Sequence, residues 1–126
     1  MHTLTRAEER IMLILWEIEK GFIKDILARF PDPKPPYNTV STIVRVLVKK
    51  GIIGFNEYGS TYEYHPLIKK DEYRKGQMKK LVSDYYNNSL KQVVNFFSEK
   101  KDLNLDEVDE VLKMLEEIKK KKNAGN

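Results

Sequence analysis

A mainly α-helical fold with one small β-hairpin is what this sequence predicts, and three observations predict it. Apolar residues recur at helical period in three segments ahead of Gly51. Two short β-prone runs follow, separated by a glycine-containing stretch. Beyond Pro66 there is no strand signal, and the helical period returns.

Thr5 and Glu8 stand in capping-box spacing and open the first helix. Ala7, Ile11, Ile14, Leu15 and Ile18 form its stripe, widened by Met12, Leu13 and Trp16, until Lys20-Gly21 stops it. A second, short helix over residues 23 to 30 turns Ile26, Leu27 and Phe30 inward. The prolines at 31, 33, 35 and 36 forbid continuous helix and make a stiff connector.

The third helix runs from residue 36 or 37 to residue 50, with Gly51 as a left-handed cap. At about 100° per residue, Val40, Ile43, Val44 and Leu47 share one side. Asn38, Ser41, Thr42, Arg45 and Lys49 fall opposite. That polar side holds donors, acceptors and two cations but no carboxylate, whereas a solvated helix face ordinarily mixes both signs. Arg suits guanine, Asn suits adenine, Ser and Thr suit either, and cations suit phosphate, so this face predicts contact with double-stranded DNA.

Ile52-Ile53-Gly54-Phe55 and Thr61-Tyr62-Glu63-Tyr64 read as two strands joined by a loop, Asn56-Glu57-Tyr58-Gly59-Ser60. Tyr62 and Tyr64 are expected to pack on the helices. Three helices followed by a hairpin are the element order of a winged helix-turn-helix, assigned to residues 1–68. Residues 69–126 form a helical region of three helices, expected to be a dimerisation domain.

The first of those helices covers residues 69 to 86, with Met78, Leu81, Val82 and Tyr85 at helical spacing, and Gly76 weakening it by roughly 1 kcal/mol. The second covers residues 89 to 99. The third starts at the N-cap Asn104, with Asp106 and Glu107 in its first turn and lysines at 119 to 122 in its last, all favourable to the helix dipole. Its stripe is Leu105, Val108, Val111, Leu112, Leu115 and Ile118. Three short helices with narrow stripes make a poor core alone and a better one with a second copy, so a homodimer is expected. The competing arrangement packs them back onto the first half. In the middle helix Leu90, Val93, Val94 and Phe97 share a face, while Phe96 projects more than about 100° from its centre and calls for another surface. The candidate pairing residues are Leu81, Val93, Phe96, Phe97, Val108, Leu112 and Leu115.

Composition narrows the function classes. The chain has no Cys, which excludes disulfides and thiolate metal sites. No apolar run approaches the roughly 18 residues of a membrane span, and no signal pattern opens the chain, so no membrane insertion and a cytoplasmic location are expected. The net charge is +4, of which +3 falls in residues 1 to 70. His occurs only at 2 and 65, and no GxGxxG, P-loop or HExxH pattern is present, so no catalytic, metal or cofactor site is expected. The remaining alternative is a winged-helix module that binds protein rather than DNA.

Several segments resemble one family. Leu4-Thr5-x-Ala7-Glu8 with Ile11-Met12 and Leu15-Trp16 is similar to the first helix of the BlaI/MecI penicillinase and methicillin-resistance repressors. Thr39-Val40-x-Thr42 with Leu47-x-Lys49-Lys50-Gly51 resembles their recognition helix and its exit, which adds Thr39 to the candidate contacts. Tyr62-x-Tyr64-x-Pro66-Leu67 resembles the second wing strand, and Val94-Asn95-Phe96 with Asp102-Leu103-x-x-Asp106-Glu107-Val108 resembles the pairing segment. The resemblance implies a dimeric bacterial transcriptional repressor on a palindromic operator, linked to antibiotic resistance. It also implies relief of repression when a membrane sensor protease cuts an Asn-Phe bond, here Asn95-Phe96. Two features depart from the family. The family's usual Arg before Leu47 is Val46 here, with Arg45 one step earlier, and the wing tip of Asn56, Glu57, Tyr58 and Gly59 carries no cation. Copper-responsive relatives carry clustered cysteines near the C-terminus; with none here, metal sensing is not expected.

Overall fold

The computed structural model describes residues 3–99 and 103–125. The chain divides into two compact units after Met78. The first holds α1 (Arg6–Ile18), α2 (Ile23–Ala28), α3 (Tyr37–Lys49), β1 (Ile53–Tyr58) and β2 (Thr61–Pro66), and the division falls within α4 (Lys70–Tyr86). The second holds the rest of α4 with α5 (Leu90–Glu99) and α6 (Leu105–Ala124).

The first unit is a winged helix. Its core is built from Ile11, Met12 and Leu15 of α1, Ile23 and Ile26 of α2, and Val40, Val44 and Leu47 of α3, closed by Phe30, Ile52, Ile53 and Tyr64. The α1 stripe is rotated from the expected one. Ala7 is exposed and Leu13 is 44% exposed, whereas Glu8 is buried at 4%. The reason is a pair that local pattern cannot reveal. Glu8 Oε1 accepts from the Thr5 backbone N–H at 2.8 Å, and Glu8 Oε2 accepts from Lys50 Nζ at 2.8 Å. The Thr5 hydroxyl accepts in turn from the Glu8 N–H, which completes the capping box. One carboxylate thus joins the start of α1 to the end of α3.

Burial alone would raise the Glu8 pKa; the Lys50 ammonium and the Thr5 N–H outweigh it and leave the group below its ordinary 4.5. A depressed carboxylate pKa contributes stability above the unfolded value, and that contribution is lost as pH falls through the folded value. Glu8→Gln is therefore expected to cost about 1–2 kcal/mol at pH 7, with the gap to the parent closing as pH drops below 4.5. Urea titrations at pH 7 and pH 3.5 check this; a gap that stays constant would mean that Glu8 is not charged in the fold.

α3 ends in a Schellman motif. Gly51 has φ +77°, its N–H donates to Val48 O at 3.0 Å, and the Ile52 N–H donates to Leu47 O at 3.0 Å. The reversal drops Ile52 and Ile53 straight into the core. β1 then pairs with β2 from Ile53↔Pro66 to Tyr58↔Thr61. The expected five-residue loop shrinks to Gly59-Ser60, because Asn56, Glu57 and Tyr58 join the ladder. Gly59, at φ +62°, takes the first turn position that favours glycine in a type II′ hairpin. Gly21 adds a one-residue third strand by exchanging backbone hydrogen bonds with Tyr64 at 2.9 and 2.8 Å. A Cβ at Gly21 would meet Ile18 Cδ1 at 2.9 Å, so only glycine fits without movement.

The first unit extends past residue 68, where the sequence places the boundary, because the start of α4 docks on α1. The Trp16 indole N–H donates to Ile68 O at 2.9 Å, the Tyr73 ring lies 5.5 Å from that of Trp16, and the Tyr73 hydroxyl donates to Glu9 at 2.7 Å. Burial and the Glu9 carboxylate push the Tyr73 pKa up to about 12.

In the second unit Asn104 caps α6 by accepting from Asp106 N and Glu107 N, and Ser89 accepts from Gln92 N at the start of α5. No residue of α4, α5 or α6 is buried. Leu81, Leu90, Val94, Phe97, Leu105, Leu112, Leu115 and Ile118 are all exposed. Phe96, expected to need an outside surface, instead lies half-buried, its ring 6.1 Å from that of Tyr86.

Candidate nucleic-acid interface

α3 is fixed from behind by Val40, Val44 and Leu47, each essentially inaccessible. Its outer face therefore cannot rotate away without opening the core. Asn38, Thr42, Arg45 and Lys49 are exposed there, as the polar pattern requires, and Thr39 is exposed beside them. Val46 is also exposed and adds an apolar group to the same face. Ser41 is a correction: only 8% exposed, it sits on the flank that faces the hairpin rather than on the outer face. Its place on the helix is about 100° from the centre of the buried stripe, which is a boundary position. The Thr42 hydroxyl donates to Asn38 O at 2.8 Å, so it offers lone pairs outward rather than its proton.

Between α2, α3 and the hairpin lies an open cleft of about 530 Å³. Asn38, Ser41 and Arg45 line it from α3, Lys24 from α2, and Ser60, Thr61 and Tyr62 from the hairpin. Phe22, Ile23, Tyr37 and Tyr64 complete a lining with no carboxylate. Arg45 also borders a smaller recess, lined further by Val48, Phe55, Tyr62 and Tyr64. Burial raises the Tyr64 pKa, partly offset by the Arg45 charge. Tyr64 packs into the core as expected, but Tyr62 is 42% exposed and its ring meets Phe55 edge-on at 5.1 Å.

Lys24, Tyr37 and Ser60 are not among the contacts that the sequence predicts. One signal covers the α3 part of the surface: residues 33 to 56 contain no Asp or Glu, a stretch that holds Tyr37 but neither Lys24 nor Ser60. Among the described residues no group of His, Cys, Asp and Glu is placed to hold a metal. No described helix is long and apolar enough to cross a membrane.

Comparison with known proteins bears on what such a surface is for. The penicillinase repressor of Bacillus licheniformis is 25% identical over 124 residues, covering 94% of both chains. A penicillinase repressor of Staphylococcus aureus is 27% identical over 119 residues, again covering 94% of each. The methicillin resistance regulatory protein MecI of Staphylococcus aureus (strain N315) is 24% identical over 115 residues, 90% of this chain and 94% of its own. A solved CopR repressor structure aligns with a TM-score of 0.45 and 26% identity, over 54% of this chain and all of that one. The family described as penicillinase repressor matches residues 4–117, and with nearly the whole chain accounted for in this way, the protein belongs to the penicillinase repressor family.

Proposed function

We propose that this family member is a DNA-binding transcriptional repressor that acts as a homodimer on a palindromic operator and is switched off by proteolysis. The observation that carries the reading is the acid-free outer face of α3, held rigid by the core behind it and flanked by an acid-free cleft. Asn38, Thr39, Thr42, Arg45 and Lys49 supply the polar contacts, with base edges for Asn38 and Arg45 and phosphates for Lys49. Ser41 acts from the cleft wall rather than the groove. Val46, where the family usually has Arg, suits a thymine methyl.

Selection of duplexes from a random pool tests the reading directly. The expected product is a sequence with two-fold symmetry; a pool that never enriches would refute specific binding and favour the alternative, a winged helix that binds protein. Arg45→Ala is expected to cost about 1–3 kcal/mol on the selected duplex and to relax discrimination at one position per half-site. Equal affinity of parent and variant at fixed salt would remove Arg45 from the reading surface.

The exposed apolar rows of α5 and α6 support pairing with a second copy. Leu81, Val93, Phe97, Val108, Leu112 and Leu115 are its proposed contacts; Phe96 contributes through Tyr86, which it packs against. Cleavage at Asn95-Phe96 by a membrane sensor protease follows the family resemblance. The bond lies inside α5, so a cut there would divide the segment that carries Val93 and Phe97. Phe96→Ala is expected to resist cutting when the repressor is co-expressed with a cognate sensor; unchanged fragment masses would discard the site.

A further inference from the structure

α4 begins on weak local ground. Lys69 stands at its N-cap position without a side-chain acceptor, and Gly76 stands in its interior. The ion pairs of its first turns, Asp71 with Arg74 and with Lys75, are exposed and contribute little. What holds this start is α1. Glu9 and Trp16, seven residues apart, share one face of that helix. Tyr73 spans them: its ring lies 5.5 Å from that of Trp16, and its hydroxyl donates to Glu9 at 2.7 Å. The indole N–H donates to Ile68 O at 2.9 Å, just ahead of α4. Trp16 and Ile68 both pack against the core of the first unit, so the seat is a firm one.

We propose that Tyr73 is a positioning residue for operator binding: seated between Trp16 and Glu9, it keeps residues 70 to 76 helical and thereby fixes the half-site spacing that the dimer accepts. This rests on the dimeric, palindrome-binding reading above and adds to it what sets the reach. α4 starts in the first unit and ends in the second, so it is the tether between the reader and the pairing segment. As helix, residues 70 to 76 span about 10 Å; unwound, they reach about 23 Å. Two protomers together would gain about 25 Å, or roughly seven base pairs. A short helical tether holds the second reader over one spacing. A long loose one spreads it over many, at a lower effective concentration on each. Tyr73 needs no contact with DNA to act in this way.

The test uses the full chain on the duplex selected by the parent, on versions with two, four or six base pairs inserted at its centre, and on a single half-site. The parent is expected to lose about a hundredfold on the first insertion. Tyr73→Ala is expected to bind the uninserted duplex about tenfold more weakly and to lose less than about fivefold on each insertion. On the half-site it should match the parent within about twofold, which also shows that the reader is folded. Tyr73→Phe and Glu9→Ala remove the same hydrogen bond from opposite sides. Both should fall between the parent and Tyr73→Ala, and the double variant should be no worse than either. Amide hydrogen exchange over residues 70 to 76 should quicken at least about tenfold in Tyr73→Ala. A spacing profile parallel to the parent's, or a loss as large on the half-site as on the full duplex, would overturn the assignment and leave Tyr73 as packing. Sedimentation velocity should show dimers throughout; a monomeric Tyr73→Ala would put the residue in the pairing surface and overturn the spacing role. A parent that gains nothing from the second half-site would refute pairing itself and this inference with it, a failure that the parent alone reveals.

Discussion

Leu112→Asp combined with Leu115→Asp is expected to turn the protein into a monomer and to lower its affinity for a two-fold symmetric duplex by about 10²–10⁴. Both leucines are about half exposed on α6, so the substitutions disturb little internal packing and the helix retains its Asn104 cap. What they disturb is the association of two copies, because four carboxylates would face one another where four apolar side chains met. The large factor arises because a dimer's second reader binds at the high effective concentration set by the first. Affinity for a single half-site should stay within about twofold, since α3 is untouched and well-separated sites behave independently. Sedimentation velocity and half-site titrations check the two parts. A variant that still sediments as a dimer would show that α6 is not the pairing surface.

The second large effect concerns the anchor of the reading helix. Leu47→Ala is expected to destabilise the fold by about 2–5 kcal/mol, the range for truncating a fully buried leucine. Leu47 has no accessible surface, and its carbonyl also receives the Ile52 N–H of the Schellman motif. Its side chain therefore sits where α3, the turn at Gly51 and β1 meet. Urea unfolding should show a lower midpoint with an unchanged slope. A cost below about 1 kcal/mol would mean that the neighbourhood collapses onto the cavity and that α3 is held chiefly by other residues.

How much of this was legible in the sequence depends on the range of the interaction. Helix bounds and caps were readable because their determinants are local: Thr5 with Glu8, the proline before Tyr37, Gly51, and Asn104 each act within a few residues. The side of α3 that carries Val40, Val44 and Leu47 was readable for the same reason. Ser41 differs from its expected place because a polar residue at the edge of an apolar stripe reads as outward, and only the hairpin packed beside it decides otherwise. Glu8 reads as a capping residue, but its burial depends on Lys50, forty-two residues away. The sequence predicts too long a wing loop because Asn56 and Glu57 have poor strand propensity; pairing with Glu63 and Tyr62 overrides it. The cleft with Lys24 had no local signature, since it joins side chains of α2, α3 and the hairpin turn.

The lone tryptophan sits at a useful joint. Its indole N–H is held by the Ile68 carbonyl and its ring lies against Tyr73, both at the entry to α4. Ultraviolet emission from this one fluorophore consequently reports whether the beginning of that helix remains seated on α1, with no dye attached and no competing indole to subtract. The protein carries its own optical gauge of that seating.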